Sequence, residues 1–520
     1  MSSDTHAMPH GPVSPAHGHE HVVSGVDPET GHVHPHVVTK PREEVTRDIL
    51  AATQRIGSTY KLALLITGAL LILGIVGFAW QASSKGFDNF SPWAYLMASY
   101  AFLLATASTA PMVSIGQRML RSHWRRPLTR ASEMFAVVGI LSTLMFIPLL
   151  SLLPPTGHMV PAEEAGPCVA ALQSMAKTGE CLIIDRVSIW WGFPTTPFLP
   201  DILAVIALAV LGLLFLIVSA WPDLAAYRPM ATGFRRSMLD LMLFRRWVGS
   251  DHQWAVHKAL IMALGAMYFF LLVFVHSIVI SDFGMALVPK WVDSIMPATA
   301  TVNGFQAGLA SVIIAMYFLH RFGGYRDYIG VEQFWAASKL LLAFSIFWFY
   351  FWFSGFIIYW YGRQPGEQGV LGTLMFQSYR TPFVLAFLCC FLLPLVMLIW
   401  NGLRKSMLGP TVVSFVILFG VMFDKIRIYV ASFQTADLQR AALSTTHPDP
   451  IAIADLPNPL IPGAADIMIV LGAIGGAIFL YLVAMKIIPV MSIWHLQEGM
   501  LYRRIVPYLK THILLMGKPD

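Results

Sequence analysis

Charged residues are scarce in this sequence, and cysteines are almost absent. Asp, Glu, Lys and Arg together make up 12% of the 520 residues, whereas hydrophobic residues make up 56%. A soluble domain of this size carries about 25% charged residues. The composition therefore excludes a soluble protein and predicts an all-α polytopic membrane protein, since a segment that crosses lipid must satisfy its own backbone hydrogen bonds.

Several sequence motifs of soluble enzymes are also missing. The chain has no glycine-rich phosphate loop, no zinc-spaced set of Cys and His, and no nucleophile elbow, so no metal site is predicted. The net charge of +6 then indicates basic loops that face an anionic lipid surface, with membrane lipids and not nucleic acid as the partner.

Four cysteines are too few for a disulfide scaffold or for an iron–sulfur cluster of the chain's own. Cys389 and Cys390 are neighbours in an apolar run, which is typical of small core residues. Cys168 and Cys181 share one long loop between apolar runs. They are a disulfide candidate if that loop faces an oxidising compartment.

Ten apolar runs follow one another, each close to the ~20 residues that a membrane-spanning helix needs. The runs cover residues 62–80, 93–112, 135–153, 202–221, 259–280, 302–319, 334–360, 382–400, 411–430 and 467–485. We predict four regions: a disordered His-rich tail (1–40), an amphipathic surface helix (41–61), a ten-helix membrane domain (62–490) and a C-terminal tail (491–520). The first 40 residues hold eight of the 17 histidines, and weak metal binding by them stays open.

Basic residues alternate between the loops, and this sets the predicted orientation. Lys and Arg cluster after the second, fourth, sixth, eighth and tenth runs, whereas the other loops contain few of them. The positive-inside rule then places both termini in the cytoplasm. His276, Asp282 and Glu367 fall on the opposite side of the membrane.

His276 and Asp282 form the most suggestive polar pair. His276 lies near the outer end of the fifth run and Asp282 follows six residues later, about 9 Å along a helix axis. An imidazole and a carboxylate at this depth can accept and relay protons. The alternative is a satisfied interfacial histidine and a helix-end aspartate.

A second polar group lies late in the ninth run, where Asp424 and Lys425 are followed by Arg427. A charge inside a membrane is costly, so these side chains must have partners within the bundle. One interpretation is a structural ion pair near the outer interface, with Arg427 reaching toward that interface. The other is a transmembrane proton path with Lys339 and Glu332. Adjacent helical residues point about 100° apart, so direct pairing of Asp424 with Lys425 is not expected.

Two further patterns have competing interpretations. A haem would need two facing histidines, and His257 and His320 lie at cytoplasmic helix ends where we expect them to face water, so no haem is predicted. The aromatic run at 347–353 could line a quinone channel, or it could pack between helices or face lipid.

Four blocks of sequence, in this order, resemble the NrfD/PsrC family, the quinone-handling membrane subunits of multi-subunit redox complexes (polysulfide reductase-like). The first is Trp-Arg-Arg-Pro-Leu-Thr-Arg-Ala-Ser-Glu at 124–133. The most specific is Val-His-Ser-Ile-Val at 275–279, followed by Asp282 and Trp291. The third block is Trp-Tyr-Gly-Arg-Gln-Pro-Gly-Glu at 360–367, and the fourth combines Gly-Pro-Thr at 409–411 with Phe-Asp-Lys at 423–425. The likeness is closest to the ten-helix members of alternative complex III and of sulfur-metabolism complexes.

The resemblance implies a fold of two four-helix bundles with two peripheral helices, in a bacterial inner membrane. It implies quinone or quinol as substrate, with His276, Asp282, Trp291 and Trp360 at the binding site and Glu367 as a proton exit. The chain would bind no haem or iron–sulfur cluster itself. Electrons would pass to an iron–sulfur subunit on the periplasmic side, and molybdopterin or cytochrome c subunits are further candidate partners.

Two other functions remain open at this stage. A secondary transporter or proton channel would use Asp424 and Lys425 to carry ions or protons. A subunit that only anchors its partners would need none of the polar residues for turnover.

Overall fold

The structure is a computed structural model of the chain. It describes residues 40–152, 157–161, 180–184, 198–243, 247–288, 291–442, 458–508 and 511–517, together with positions 26, 33, 36 and 38. In this part of the chain, nine helices are long and apolar enough to cross a membrane. The protein is an all-α polytopic membrane protein, as its composition predicts.

Helices follow one another along the described residues, and short antiparallel strands accompany them. The first half contains α1 (Arg42–Gln54), α2 (Ser58–Lys85), α3 (Ala94–Thr106), α4 (Pro111–Met119), α5 (Thr129–Glu133), α6 (Gly139–Leu150), β1 (Gly157–Pro161), β2 (Glu180–Ile184), α7 (Phe198–Tyr227), α8 (Gly233–Leu243) and α9 (Asp251–Phe283). The second half contains α10 (Met296–Phe322), α11 (Val331–Gly362), α12 (Pro365–Leu371), α13 (Arg380–Phe387), α14 (Leu393–Ile399), α15 (Asn401–Arg404), α16 (Leu408–Lys425), α17 (Ala431–Ala442), α18 (Ala464–Ala484), α19 (Ile493–Tyr502), β3 (Arg503–Tyr508) and β4 (Thr511–Met516).

All ten predicted spans fall on helical segments. The ninth run is the one that does not appear among the nine apolar spans. It forms α16, which continues through a π-helical turn (Ile426–Val430) into α17, and the end of this run carries Asp424, Lys425 and Arg427.

Packing divides the spans into two groups of four and one pair. The second to fifth spans form one bundle, in which α3 packs on α6, α6 on α7, and α7 on α9. The sixth to ninth spans form the other, in which α10 packs on α11 and α16, and α13 and α14 pack on α16. Contacts of α10 with α3 and α9 join the two bundles. This is an arrangement of two four-helix bundles and two peripheral helices, as the resemblance implies.

The first and last spans, α2 and α18, form the peripheral pair. Gly74 and Gly472 meet at their crossing, where a Cβ on either glycine would collide with the backbone of the other. Such close backbone approach is typical of helix pairs in lipid, where small residues at the contact replace a hydrophobic driving force.

The predicted cytoplasmic side is covered by folded segments. Helix α1 lies within the region predicted as a surface helix, and it buries Val45, Ile49 and Leu50 on one face. The chain after residue 491 is not an extended tail in the described residues, because α19 packs against α1 and α7 and the antiparallel strands β3 and β4 follow it. Most of the His-rich tail and Cys168 lie outside the described residues. Cys181 belongs to β2, which pairs antiparallel with β1, but its side chain is not described, so the disulfide stays a prediction.

Candidate functional site

His276 is buried between the two bundles, near the predicted outer side of the membrane. It lies seven residues before the end of α9, about 10 Å along the helix axis. Its Nε2 atom is 3.1 Å from Oγ1 of Thr109, which follows α3 in the turn that leads to Pro111. The side chain is 4% exposed, so the imidazole is removed from water.

The contact with Thr109 determines which nitrogen of the imidazole carries the proton. The Thr109 hydroxyl donates its single hydrogen to the backbone carbonyl of Leu104, at 2.9 Å. A hydroxyl has only one hydrogen, so its oxygen accepts from His276. A neutral His276 therefore holds its proton on Nε2, and Nδ1 is the proton acceptor.

Helix α10 packs directly against the imidazole of His276. A Cβ on Gly304 would lie 2.8 Å from Nε2 of His276 and 3.1 Å from Oγ1 of Thr109, so the imidazole occupies the space that a side chain would need. The preceding residue, Asn303, accepts a hydrogen bond from Lys425 at 2.7 Å. Asn303 lies seven residues after the start of α10, which places it about 10 Å along the axis, at the depth of His276.

The structure thus joins two polar groups that the sequence treats separately. Lys425 is within electrostatic reach of His276, and it also contacts Asp424 at 3.2 Å. Arg427 lies 2.7 Å from Asp424 on its other side. The expectation that Asp424 and Lys425 do not pair directly is wrong, because the long lysine side chain bends back to its neighbour. Arg427 does not reach toward the interface either; it is buried.

Buried tyrosines extend the polar region toward α7. Tyr429 lies within electrostatic reach of Asp424, and Tyr100 lies within reach of both Tyr429 and Asp201. The Tyr100 hydroxyl has no hydrogen-bond partner among the described residues. It faces a small cavity whose lining also includes Leu104, the acceptor for Thr109. The cavity has room for about one water molecule.

Asp282 and Trp291 are buried near the outer end of the same helix and in the loop after it. Six helical residues separate His276 from Asp282, so the two side chains point about 120° apart around α9. The partner that the structure gives to the imidazole is Thr109, which nothing in the sequence singles out. Asp282 instead lies about 9 Å closer to the outer surface.

Glu367 lies near the predicted outer surface, in the first turn of α12, and is half-buried. It is within electrostatic reach of Tyr359, which also interacts with Asp293. Burial raises the pKa of the Asp293 carboxyl, although its contacts with the backbone N–H groups of Ile295 and Met296 oppose this. Trp360 is exposed on α11, as a residue of an interfacial aromatic belt is expected to be.

Lys339 and Glu332 lie closer to the cytoplasmic end of the bundle than the buried residues Asp424 and Lys425. Gln306 of α10 donates to Ser345 of α11, which aligns the two helices. Lys339 is six residues, or about 9 Å, further toward the cytoplasmic end, and it is exposed over the ring of Trp335. Glu332 lies at the start of α11 and accepts a hydrogen bond from the backbone N–H of His36. The structure therefore brings Asp424 and Lys425 together but places Lys339 on the outside of the bundle.

The aromatic run at 347–353 divides between two environments. Phe349 stacks on Phe391 with ring centroids 4.0 Å apart, and Trp352 packs against Phe383 and Phe387. Phe347, Tyr350 and Phe353 are exposed on the surface of the bundle. One side of α11 thus packs on α13, and the other faces lipid.

A buried charged layer at the cytoplasmic helix ends was missed by sequence reasoning. The basic residues after the second span suggest a loop that faces lipid headgroups, yet Arg125, Arg126 and Arg130 are at most 5% exposed. His257 is fully buried as well, so the expectation that it faces water is wrong; its Nε2 contacts the carbonyl oxygen of Val218 at 2.9 Å. Charge periodicity gives no signal for this burial, because it depends on distant segments. Arg130 donates to Ser219 and Asp223 of α7, and α19, more than 350 residues later, packs on Arg126–Leu128.

The chain matches no protein-family model and no curated protein.

Proposed function

We propose that the chain is a quinone-interacting membrane subunit of a respiratory redox complex. One observation carries the proposal: the imidazole of His276 is buried where the two bundles meet, bonded to Thr109 through Nε2 and within electrostatic reach of the buried Lys425. Oxidation of a quinol requires an acceptor for its hydroxyl protons in a site that an apolar molecule can reach from lipid. A positioned imidazole meets the first requirement.

The proton chemistry follows from the charges around His276. The quinol loses two electrons to the partner subunit and two protons, and becomes a quinone. Nδ1 of His276 accepts the two hydroxyl protons one after the other and passes each one on before it accepts the next. Each accepted proton then leaves His276 for a carboxylate nearer the outer surface. Asp282 lies on the outward side of His276, and Glu367 lies further toward the outer surface. These carboxylates are the proposed exit.

The substrate needs more space than the polar residues now enclose. The cavity beside Leu104 and Tyr100 holds about one water molecule, which is less than a quinone ring occupies. This cavity is lined by α3, α6, α7 and α9 but not by His276, so binding at His276 requires these helices to separate locally and the space to extend to the imidazole. The hydroxyl of Tyr100 is then available as a donor to a ring oxygen.

The chain must pass electrons to a partner, because its cysteines cannot hold a cluster. The proposed partner is an iron–sulfur subunit on the periplasmic face, with molybdopterin or cytochrome c subunits beyond it. Orientation in a bacterial inner membrane rests on exposed basic residues at one set of helix ends, which include Arg121, Arg236, Arg321 and Arg326.

Replacement of His276 tests this proposal. In the intact complex, His276→Ala should abolish quinol-dependent electron transfer while assembly stays normal. His252→Ala is the matched control, because His252 is exposed on the first turn of the same helix. If the His276→Ala complex oxidises quinol at the normal rate, the site is wrongly assigned. A purely anchoring subunit would give that result.

The second candidate function is ion or proton transport. The observation that favours it is the buried triad of Asp424, Lys425 and Arg427, since charges inside a membrane often mark an ion pathway. Proteoliposomes that contain only this chain distinguish the two functions. A transporter dissipates a proton or ion gradient without quinone, and Asp424→Asn stops it; a quinone subunit leaves the gradient intact.

A further inference from the structure

Two basic side chains come together on the surface of the second bundle, near its cytoplasmic end. Lys339 is exposed on α11, and Arg404 is the last residue of α15 and is half-buried. Helix α11 packs on both α14 and α15, so the two residues belong to neighbouring elements. Arg404 is within electrostatic reach of Lys339.

Trp335 determines the direction of the lysine side chain. It lies one turn before Lys339 on α11, and Nζ of Lys339 is 3.3 Å from the centroid of its ring. Nε1 of Trp335 donates to Oδ1 of Asn401, at the start of α15, at 3.4 Å. The indole therefore connects the two elements, and its face holds the ammonium beside α15.

The two cations form no ion pair with an acidic residue in the part of the chain that the structure describes. The acidic residue of α11 is Glu332, about 10 Å nearer the cytoplasmic end, where it accepts from the backbone N–H of His36. The sequence between residues 368 and 423 contains no Asp or Glu. Nε of Arg404 is buried and has no hydrogen-bond partner among the described residues. Since like charges repel each other, this pair attracts an anion from outside the chain.

The height of the pair in the membrane matches that of lipid headgroups. Helix α11 has 32 residues, or about 48 Å, whereas the hydrocarbon core is about 30 Å thick, so a centred helix extends about 9 Å beyond the core at each end. Lys339 follows the start of α11 by about 12 Å, and its side chain runs back over Trp335 toward the cytoplasmic end. Its ammonium thus reaches the boundary between the core and the headgroups, as a snorkelling lysine does.

Exposed apolar side chains continue from the two cations toward the middle of the membrane. Ile346 is exposed two turns after Lys339, on the same face of α11. Val396 and Ile399 are exposed on α14, which precedes α15. A surface that is basic at the headgroup level and apolar deeper in the membrane fits a molecule that has both an anionic group and acyl chains.

We propose that Lys339 and Arg404 bind the phosphate of an anionic phospholipid in the cytoplasmic leaflet. An ammonium and a guanidinium both bind phosphate oxygens through charge-assisted hydrogen bonds. Basic pockets between membrane helices on the cytoplasmic side bind anionic headgroups in this way. A zwitterionic lipid would leave the two positive charges uncompensated, so the site prefers a headgroup with a net negative charge. The site is independent of the proposed quinone chemistry.

The test uses the purified, delipidated full chain in a non-ionic detergent. Native mass spectrometry measures the affinity for the first bound phosphatidylglycerol, with phosphatidylcholine of the same acyl chains as the reference. The wild type should bind phosphatidylglycerol about tenfold more tightly than phosphatidylcholine, or better, because the charged pair is compensated. Lys339→Gln and Arg404→Gln should each remove most of this preference, because each removes a charge-assisted bond.

Two further variants make the result specific. Lys258→Gln is the matched control and should keep the preference, because Lys258 is exposed on α9 at nearly the height that Lys339 has on α11. Lys339→Arg keeps the charge and should keep the preference as well, which separates lipid binding from a change in packing.

Three outcomes would overturn the proposal. The first is equal affinity of the wild type for the two lipids. The second is a preference that both Gln variants retain, or that Lys258→Gln loses to the same extent. The third concerns glycerol phosphate, the soluble probe. If it binds as tightly as phosphatidylglycerol, the ligand is a soluble phosphate compound and the assignment to a lipid is wrong.

Discussion

Gly304 lies against the imidazole of His276, and the contact leaves no space for a side chain at position 304. Gly304→Ala should therefore push the imidazole away from Thr109 without changing any group that takes part in chemistry. We expect quinol oxidation by the intact complex to fall by about 10²-fold or more, which is the range for losing a positioned base. Steady-state turnover with a soluble quinol analogue measures it.

Gly116→Ala is the control for that change. A Cβ on Gly116 meets nothing within 4 Å, and the residue lies in α4, in the same span as Thr109. Its turnover should stay at the wild-type level. Unimpaired turnover in Gly304→Ala would show that the position of His276 does not matter to the reaction.

Thr109 is predicted to act through His276 and not on the substrate. Thr109→Val removes the oxygen that accepts from Nε2 and leaves a buried N–H without a partner, which costs about 1–3 kcal/mol of stability. Turnover should fall in Thr109→Val and recover in Thr109→Ser, which restores the hydroxyl. Thermal unfolding and turnover are measured on the same samples. A loss that Thr109→Ser fails to restore would point to packing of the threonine methyl group instead.

The helices were predictable from the sequence and their grouping from the family resemblance, whereas the site was only half predictable. Apolar runs of sufficient length give helices because lipid leaves the backbone no other choice, so all ten predicted spans fall on helical segments. The polarity of His276 and Lys425 within such runs marked both as candidate residues. Their proximity could not be read from the runs, because it depends on how α9, α10 and α16 are shifted along one another.

Thr109 and Arg125 are two residues whose role in the structure the sequence does not indicate. A threonine in an apolar run is ordinary, and only the turn before Pro111 directs its hydroxyl toward α9. Arginines after a span usually face lipid headgroups, but Arg125 is buried in a loop on which α19 packs. A local sequence pattern does not indicate that α19, near the end of the chain, packs over this loop.

The buried triad offers a stability prediction. Asp424→Asn leaves Lys425 and Arg427 without a counter-charge, so we expect a loss of about 3–5 kcal/mol. Lys425→Met should lower the free energy of unfolding by less, because Asp424 keeps its ion pair with Arg427. Unfolding in mixed detergent measures both. Lys61→Met, at an exposed position of α2, serves as the control and should stay within about 0.5 kcal/mol of wild type. A larger loss for Lys425→Met than for Asp424→Asn would contradict this order.

Lys486 gives a pH-dependent prediction on the cytoplasmic side. It follows α18 and donates to the carbonyl oxygens of Ala52 and Arg55, at 3.2 and 2.8 Å, at the end of α1. Burial, with a contribution from Arg235, lowers its pKa from 10.5 to about 8. Between pH 8 and pH 10.5 the unfolded chain holds a proton on this amine that the folded chain does not, so the free energy of unfolding should rise with pH in that window. A neutral amine still donates, and the contacts with α1 survive.

Replacing Lys486 isolates this effect from all other titrating groups. Thermal unfolding is followed from about pH 7.5 to 10.5 for the wild type, Lys486→Met and Lys258→Met, the last at an exposed position of α9. The rise attributable to Lys486 should be absent from Lys486→Met and present in Lys258→Met. If Lys486→Met keeps the full rise, the amine titrates at its ordinary pKa in the folded protein. The junction of α1 with α18 would then be hydrated, and the cap on α1 would contribute little to stability.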